Sequence, residues 1–249
     1  MYLIVSVYLV SNLTKTNCLV HLVPETRLMI SSGFPLNSIG EIRDMHQLHL
    51  KCDETVGFER YAAVGSLLEG NHLMICGGKG SNGQFQTCTS KNLDNGNLTE
   101  VPMISKRYAA SSVSLNDSFM WIVGGSDDTR DLSTSEFISV KHGSTLGPLL
   151  PFTVRFHCLV SINSSTVFLI GGNQNGITSN EVWIFNPTND FSIVPGNEMV
   201  TKRRTHACSM MTDDYGNALV MVAGGINENG DTLDSTEIFN ISSNEWISG

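Results

Sequence analysis

Positive charge is scarce in this sequence. Fifteen lysines and arginines stand against 24 aspartates and glutamates in 249 residues, a formal net charge of −9. A phosphate-backbone partner calls for a basic face, so the balance argues against nucleic acid. Charge runs of either sign are missing. Long hydrophobic runs are missing too: no segment reaches the ~18 apolar residues that a membrane helix needs. Nothing holds a helical hydrophobic period. Glycine pairs occur, yet none is followed by the Gly-Lys-Ser/Thr of a phosphate loop. At 27.1 kDa a single domain is the natural reading, since repeat folds run long for one core.

What the chain does have is a repeat. Four apolar runs end in a glycine pair: HLMICGG at Gly77-Gly78, FMWIVGG at Gly124-Gly125, TVFLIGG at Gly171-Gly172 and LVMVAGG at Gly224-Gly225. The second glycines are 47, 47 and 53 residues apart. An arginine opens a small-residue segment upstream of each run. These are Arg60, Arg107, Arg155 and Arg204, lying 17, 17, 16 and 20 residues before the first glycine. The longest gap contains TDDYGN, which is turn chemistry. A degenerate fifth copy stands at the start. CLVHLVPETRLMISS from Cys18 aligns without a gap on CLVSINSSTVFLIGG from Cys158, with Ser31-Ser32 in place of the glycines and Lys15 in place of the arginine. After each glycine pair comes a polar loop and then a short strand, with Glu41, Glu136, Glu181 or Glu237 near its head in four of the five copies. Each copy therefore reads as four short strands joined by turns.

A four-stranded sheet of this size cannot bury both faces alone. Stacking copies around an axis buries them and leaves only short edges. The second strand is then covered on both faces, so it reads as continuous apolar residues. The glycine pair lets it leave the crowded centre at backbone angles that residues with a β-carbon resist. The double glycine, the upstream arginine, the downstream glutamate strand and the ~50-residue period resemble the kelch repeat. The resemblance covers residues 15–249, with repeats opening near 15, 60, 107, 155 and 204. It implies an all-β, kelch-type β-propeller. The five recognisable four-stranded blades make either a complete ring or an incomplete view of a six-bladed one. Two departures stand out. The first copy lacks Gly-Gly, and the second has TCTSKNL where the glutamate strand belongs.

Compartment is left open by the sequence, extracellular or cytoplasmic. Residues 1–14 begin with the apolar run MYLIVSVYLV, either a ring-closing strand or a signal segment. Cys18, Cys158 and Cys208 fall where Ala63 and Ala110 stand in other copies, and read as small buried residues. Cys76 ends a second strand and Cys88 begins a third. In an antiparallel pair they could face each other at bridging distance, a disulfide that would mark an oxidising compartment. Cys52 has no evident mate. Five Asn-X-Ser/Thr sequons occur, at Asn12, Asn97, Asn116, Asn163 and Asn240, and act as glycan acceptors only in a secreted chain.

Chemistry is hard to find. His46, His49 and Cys52 have a metal-like spacing, but on a strand the two histidines point to opposite faces. His157 and His206 lie in neighbouring copies and lack a third ligand, so they read as structural. Hence no catalytic, metal or cofactor residue is assigned and no cofactor is expected. An oxidase-type metalloenzyme on the same fold is the remote alternative. The expected function is non-catalytic: a monomeric protein-interaction module, or alternatively a secreted, disulfide-bearing protein binding extracellular protein or glycan. By the resemblance, a peptide, often acidic, would dock on the face bearing Arg60, Arg107, Arg155 and Arg204, with Lys79 and Arg130 in the loops. The competing reading makes these arginines structural, pinning neighbouring blades through backbone carbonyls.

Overall fold

The computed structural model describes the backbone of residues 17–23, 27–33 and 39–42, and backbone and side chains over 60–213 and 215–248. The N-terminal apolar run, Asn12 and the group His46, His49 and Cys52 lie outside the described residues. Among those described, the fold is all strand, turn and loop, without a helix. No helix there is long and apolar enough to cross a membrane.

The strands form successive antiparallel meanders, called here sheets I to V. Sheet I has three described strands, Asn17–Val23, Arg27–Gly33 and Ile39–Ile42. Sheet II comprises Val64–Leu68, His72–Cys76, Thr87–Asn92 and Leu98–Pro102; sheet III comprises Ser111–Asn116, Phe119–Val123, Ser135–Ser139 and Gly143–Leu146. Sheet IV comprises Cys158–Asn163, Thr166–Gln174, Ile177–Asn186 and Ser192–Pro195, with the short strand Val154–Arg155 beside the far end of its second strand. Sheet V comprises Ala207–Thr212, Ala218–Ala223, Thr236–Asn240 and Glu245–Ser248. The degenerate copy is a real hairpin with its own register: Cys18 pairs with Ser32, whereas Cys158 pairs with Ile170. Ser31 and Ser32 pair as strand residues, where Gly171 and Gly172 turn to positive φ.

The core lies between sheets rather than within one. Met74, Cys76 and Val101 of sheet II pack on Met120, Ile122 and Ile138 of sheet III. Trp121 and Val123, on the other face of sheet III, pack on Leu159, Leu169 and Phe185 of sheet IV. Phe168 and Ile170 pack on Val220, Val222 and Phe239 of sheet V. Alternate residues of one strand thus serve two different interfaces, which is why FMWIV shows no polar alternation.

Two backbone devices join the sheets. The first is a lateral chain of hydrogen bonds at the start of each first strand. Ala109 N donates to Ala62 O (3.0 Å), Phe156 N to Ala109 O (2.8 Å) and Thr205 N to Phe156 O (2.8 Å). All four residues adopt left-handed angles, φ +52 at Ala62, +53 at Ala109, +56 at Phe156 and +57 at Thr205. The conformation costs a non-glycine residue on the order of 1 kcal/mol and recurs because it turns amide and carbonyl sideways toward the neighbouring sheets. The second device is the glycine pair. Gly77 and Gly124 donate within their own sheets, to Thr87 O and Thr134 O. Gly78, Gly125 and Gly172 donate across to Arg107 O, Val154 O and Arg203 O at 2.8, 2.8 and 2.9 Å. A β-carbon on Gly77 or Gly124 would run into the Arg107 or Val154 carbonyl. Backbone-to-backbone packing between sheets therefore excludes any side chain there.

The cysteines pair twice. Cys76 and Cys88 are direct cross-strand partners with Cα atoms 3.9 Å apart and sulfurs at disulfide distance. The second pair corrects the sequence reading. Cys158 and Cys208 are buried, but as a disulfide-distance pair joining sheets IV and V, with Cα atoms 6.0 Å apart. The repeat alignment put them at one equivalent place. In the structure Cys158 matches Ala207, and Cys208 is one residue further on, facing the neighbouring sheet. The link closes a separation of 50 residues. Cys208→Ala should lower stability by about 4 kcal/mol on the chain-entropy account. Thermal melting with and without reductant, alongside non-reduced peptide mapping, checks it; a melt insensitive to both would contradict the bond.

Candidate functional site

In each four-stranded meander the loop between strands two and three emerges at one end, and the 1–2 and 3–4 turns at the other. The lateral hydrogen-bond chain ties the first strands of sheets II to V at the same end, so all four meanders stand the same way up. One end therefore gathers the loops around 78–86, 125–134, 173–177 and 225–235, together with the residues that open each first strand. This is the loop end.

The sequence-predicted arginines divide there. Arg60 and Arg107 are buried and do not face outward. Arg107 is 1% exposed, donates through Nη1 to Gly124 O and Thr134 O (2.6 and 3.0 Å), and pairs through Nη2 with Glu136 at 2.6 Å. Arg60 donates to Thr87 O and to the hydroxyls of Thr87 and Thr89. Burial without an adjacent carboxylate pulls its pKa below the usual value, with Glu100 a weaker opposing influence. Each guanidinium fastens the end of the second strand to the third strand of its own sheet, while the Arg107 backbone carbonyl accepts from Gly78 N of the neighbouring sheet.

In the last two copies the repeat register is corrected by one residue. The structural counterpart of Arg60 and Arg107 in sheet V is Arg203, which donates to Gly224 O and Ser235 O and pairs with Glu237 at 2.6 Å. In sheet IV the counterpart is Val154. The signal was in the spacing: Val154 precedes Gly171 by 17 residues, as Arg60 precedes Gly77 and Arg107 precedes Gly124.

The acids sort in the same way. Glu136 accepts from Ile104 N and Ser105 N as well as Arg107, and Glu237 accepts from Val200 N, Thr201 N and Arg203. Glu181 does not share this position. It accepts from Trp183 Nε1, and Trp183 holds the strand register that Glu136 and Glu237 hold. Sheet IV has thus replaced both members of the buried pair with apolar residues, Val154 and Trp183, and the Trp183 ring packs at a tilt on Phe152 with centroids 5.0 Å apart. A buried ion pair is exchanged for packing as a unit, because one charge left alone is costly.

Arg155 and Arg204 stand beside Tyr61 and Tyr108 at the next position and do reach the loop end. Arg155 lies 3.3 Å from Asp131 and over the Phe156 ring. Arg204 donates to the Thr178 hydroxyl and Asn227 O. Lys79 bonds Asp128 of the next loop at 2.8 Å, and this bond raises its pKa. Arg130 is exposed and lies 3.6 Å from Asp127, whose carboxyl is held below its usual range, chiefly by the Thr129 hydroxyl. Lys202 pairs with Glu228 at 2.7 Å. Lys79, Arg130, Arg155 and Lys202 thus each lie beside an acid, whereas Arg204 is held by a hydroxyl and a backbone carbonyl.

His157 and His206 are equivalent positions where sheets II and III carry Ala63 and Ala110, against the second glycine of the pair. Their rings also reach the first glycine of the preceding sheet, Gly124 and Gly171. Both are fully enclosed; neither ring nitrogen of His157 has a partner among the described residues, and those of His206 have only weakly aligned backbone groups of Ile170 and Arg203 nearby. Burial pushes both pKa values down to about 3; the second influence is His206 on His157 and the Arg203 guanidinium on His206. Among the described residues no group of three or more His, Cys, Asp or Glu is placed to hold a metal. Comparison with protein-family models and with curated proteins finds no match for this chain.

Proposed function

We propose that the chain is a kelch-type β-propeller acting as a non-catalytic protein-binding module through its loop end. Same-way-up meanders joined laterally through their first strands are what a propeller requires. The reading rests on one observation: four loops of different length and sign are held at one end of a scaffold fixed by backbone bonds and cross-sheet packing. Loops on a rigid frame carry recognition. Tyr61, Tyr108, Arg155 and Arg204 form the half-buried floor beneath them. Because Lys79, Arg130, Arg155 and Lys202 each lie beside an acid, the partner is of mixed charge rather than a purely acidic peptide.

The test is affinity capture with the intact chain, compared with variants Arg155→Glu, Tyr108→Ala and Arg130→Glu. Capture should fall at least about tenfold in one or more of them, a loss of about 1.4 kcal/mol. Melting should stay within about 0.5 kcal/mol for the exposed Arg130 change. Partners captured equally by all three variants would overturn the assignment.

A further inference from the structure

Four of the five sequons lie in the described residues, and the fold gathers them at a single end. Asn97 sits in the turn between strands three and four of sheet II. Asn116 and Asn163 end the first strands of sheets III and IV, and Asn240 ends the third strand of sheet V. In a meander the 1–2 and 3–4 turns share one end, opposite the 2–3 loops. The lateral chain that orients the sheets puts these four ends together. Asp117 O, beside Asn116, accepts from Glu69 N of the neighbouring sheet, and Lys141 reaches Glu69 at 3.3 Å, so the turn ends of sheets II and III also touch.

Turn chemistry explains some of these asparagines. The Oδ1 of Asn116 accepts from Ser118 N and Phe119 N, that of Asn163 from Ser165 N, and that of Asn240 from Ser242 N and Ser243 N. At Asn163 it also holds the hydroxyl two residues later, which donates from Ser165 Oγ to Asn163 Oδ1, but at the other three sequons it does not explain that hydroxyl. Thr99, Ser118 and Ser242 are exposed, and their hydroxyls make no hydrogen bond among the described residues. Nor does the Nδ2 of any of the four asparagines. Asn97, Asn116 and Asn163 are exposed and Asn240 half-exposed. At Asn116, Asn163 and Asn240 the turn fixes the carboxamide by its oxygen and leaves the nitrogen free. Two disulfide-distance pairs add an independent pointer to an oxidising compartment, where such acceptors meet the glycosylation machinery.

We infer that the chain is N-glycosylated at Asn97, Asn116, Asn163 and Asn240, so that glycans cover the turn end and leave the loop end open for a partner. In each transfer the Asn Nδ2 forms a bond to the anomeric carbon of an oligosaccharide carried on a lipid pyrophosphate. The bond from that carbon to the pyrophosphate oxygen breaks, the lipid pyrophosphate leaves with the electron pair, and the amide gives up one proton. The modification depends on sheet topology and compartment and needs no partner. Only the statement that the loop end stays open rests on the binding reading.

The experiment is expression of the full chain in eukaryotic cells, enzymatic release of N-glycans in heavy-oxygen water, and peptide mass spectrometry. Heavy-oxygen-labelled aspartate is expected at all four positions, together with a drop in intact mass on glycan release. Thr99→Ala, Ser118→Ala, Ser165→Ala and Ser242→Ala should each remove one label and leave the other three. The same asparagines recovered unmodified from the folded protein overturn the inference, as do labels that survive loss of the hydroxyl. Neither failure touches the loop-end capture result, and a failed capture leaves the glycan map standing.

Discussion

Arg107→Met should cost about 3–5 kcal/mol of folding free energy and lower the melting temperature on the order of 10 °C. The expectation follows from position rather than charge count. Arg107 and Glu136 are 1% and 0% exposed and 2.6 Å apart. Removing the guanidinium leaves Glu136 enclosed with two backbone amides, Ile104 N and Ser105 N, as its remaining donors. It also unties Gly124 O and Thr134 O, the point where the second strand is fastened to the third. Sheet IV shows that the fold tolerates loss of both charges, since Val154 and Trp183 stand in the corresponding places. Arg107→Met combined with Glu136→Met should therefore lose less than the sum of the two single changes, a coupling that a double-mutant cycle reads directly. Arg130→Ala, at a site 77% exposed, is the control and should leave the melt nearly unmoved. A wild-type melt for Arg107→Met would mean that the buried pair does not hold the sheet.

The second large effect is with acid. His157 and His206 titrate at about 3 when folded, against an ordinary 6.5 when unfolded. Between these values the unfolded chain binds two protons that the folded chain refuses. Stability is therefore full above about pH 6.5 and falls as pH drops, by about 1.4 kcal/mol per unit for each histidine. At pH 5 the two together remove about 4 kcal/mol. The groups facing them are the His206 ring beside His157, and the Arg203 cation with the backbone groups of Ile170 and Arg203 beside His206. The backbone groups oppose the shift more weakly than burial drives it, and none of these is an acid that could hold an imidazolium. Denaturant melts from pH 7.5 down to 4.5 measure the slope. His157→Ala copies what sheets II and III carry at Ala63 and Ala110, and it should halve the histidine part of that slope whatever it does to stability at pH 7. Equal slopes in the wild type and His157→Ala would show that the ring is protonated inside the fold.

Much of the architecture was legible in the order of residues. The Gly-Gly ends of HLMICGG, FMWIVGG, TVFLIGG and LVMVAGG mark the period, and in the first three only glycine can turn there against the next sheet's carbonyl. The continuous apolar second strands announced burial on both faces. Cys76 and Cys88 could be set opposite each other because a hairpin brings near neighbours in sequence together by a known register.

Contacts between sheets could not be read in the same way. Cys158 and Cys208 were aligned as equivalents, yet a one-residue offset turns one of them across the interface to meet the other. Arg203 and Arg204 are adjacent in RRTHACS, and the bonds to Gly224, Ser235 and Glu237 make the first a buried clamp where the second is a partly exposed cation. The left-handed angles of Ala62, Ala109, Phe156 and Thr205 left no glycine to mark them, since the bonds that offset their cost come from sheets about 50 residues away. The repeat, the strands and the glycine turns can be read from residue order, because period and backbone freedom are local properties. The tertiary structure alone decided which charges are buried, which cysteines meet across sheets and which end carries the sequons. Each of those depends on where one meander stands against the next.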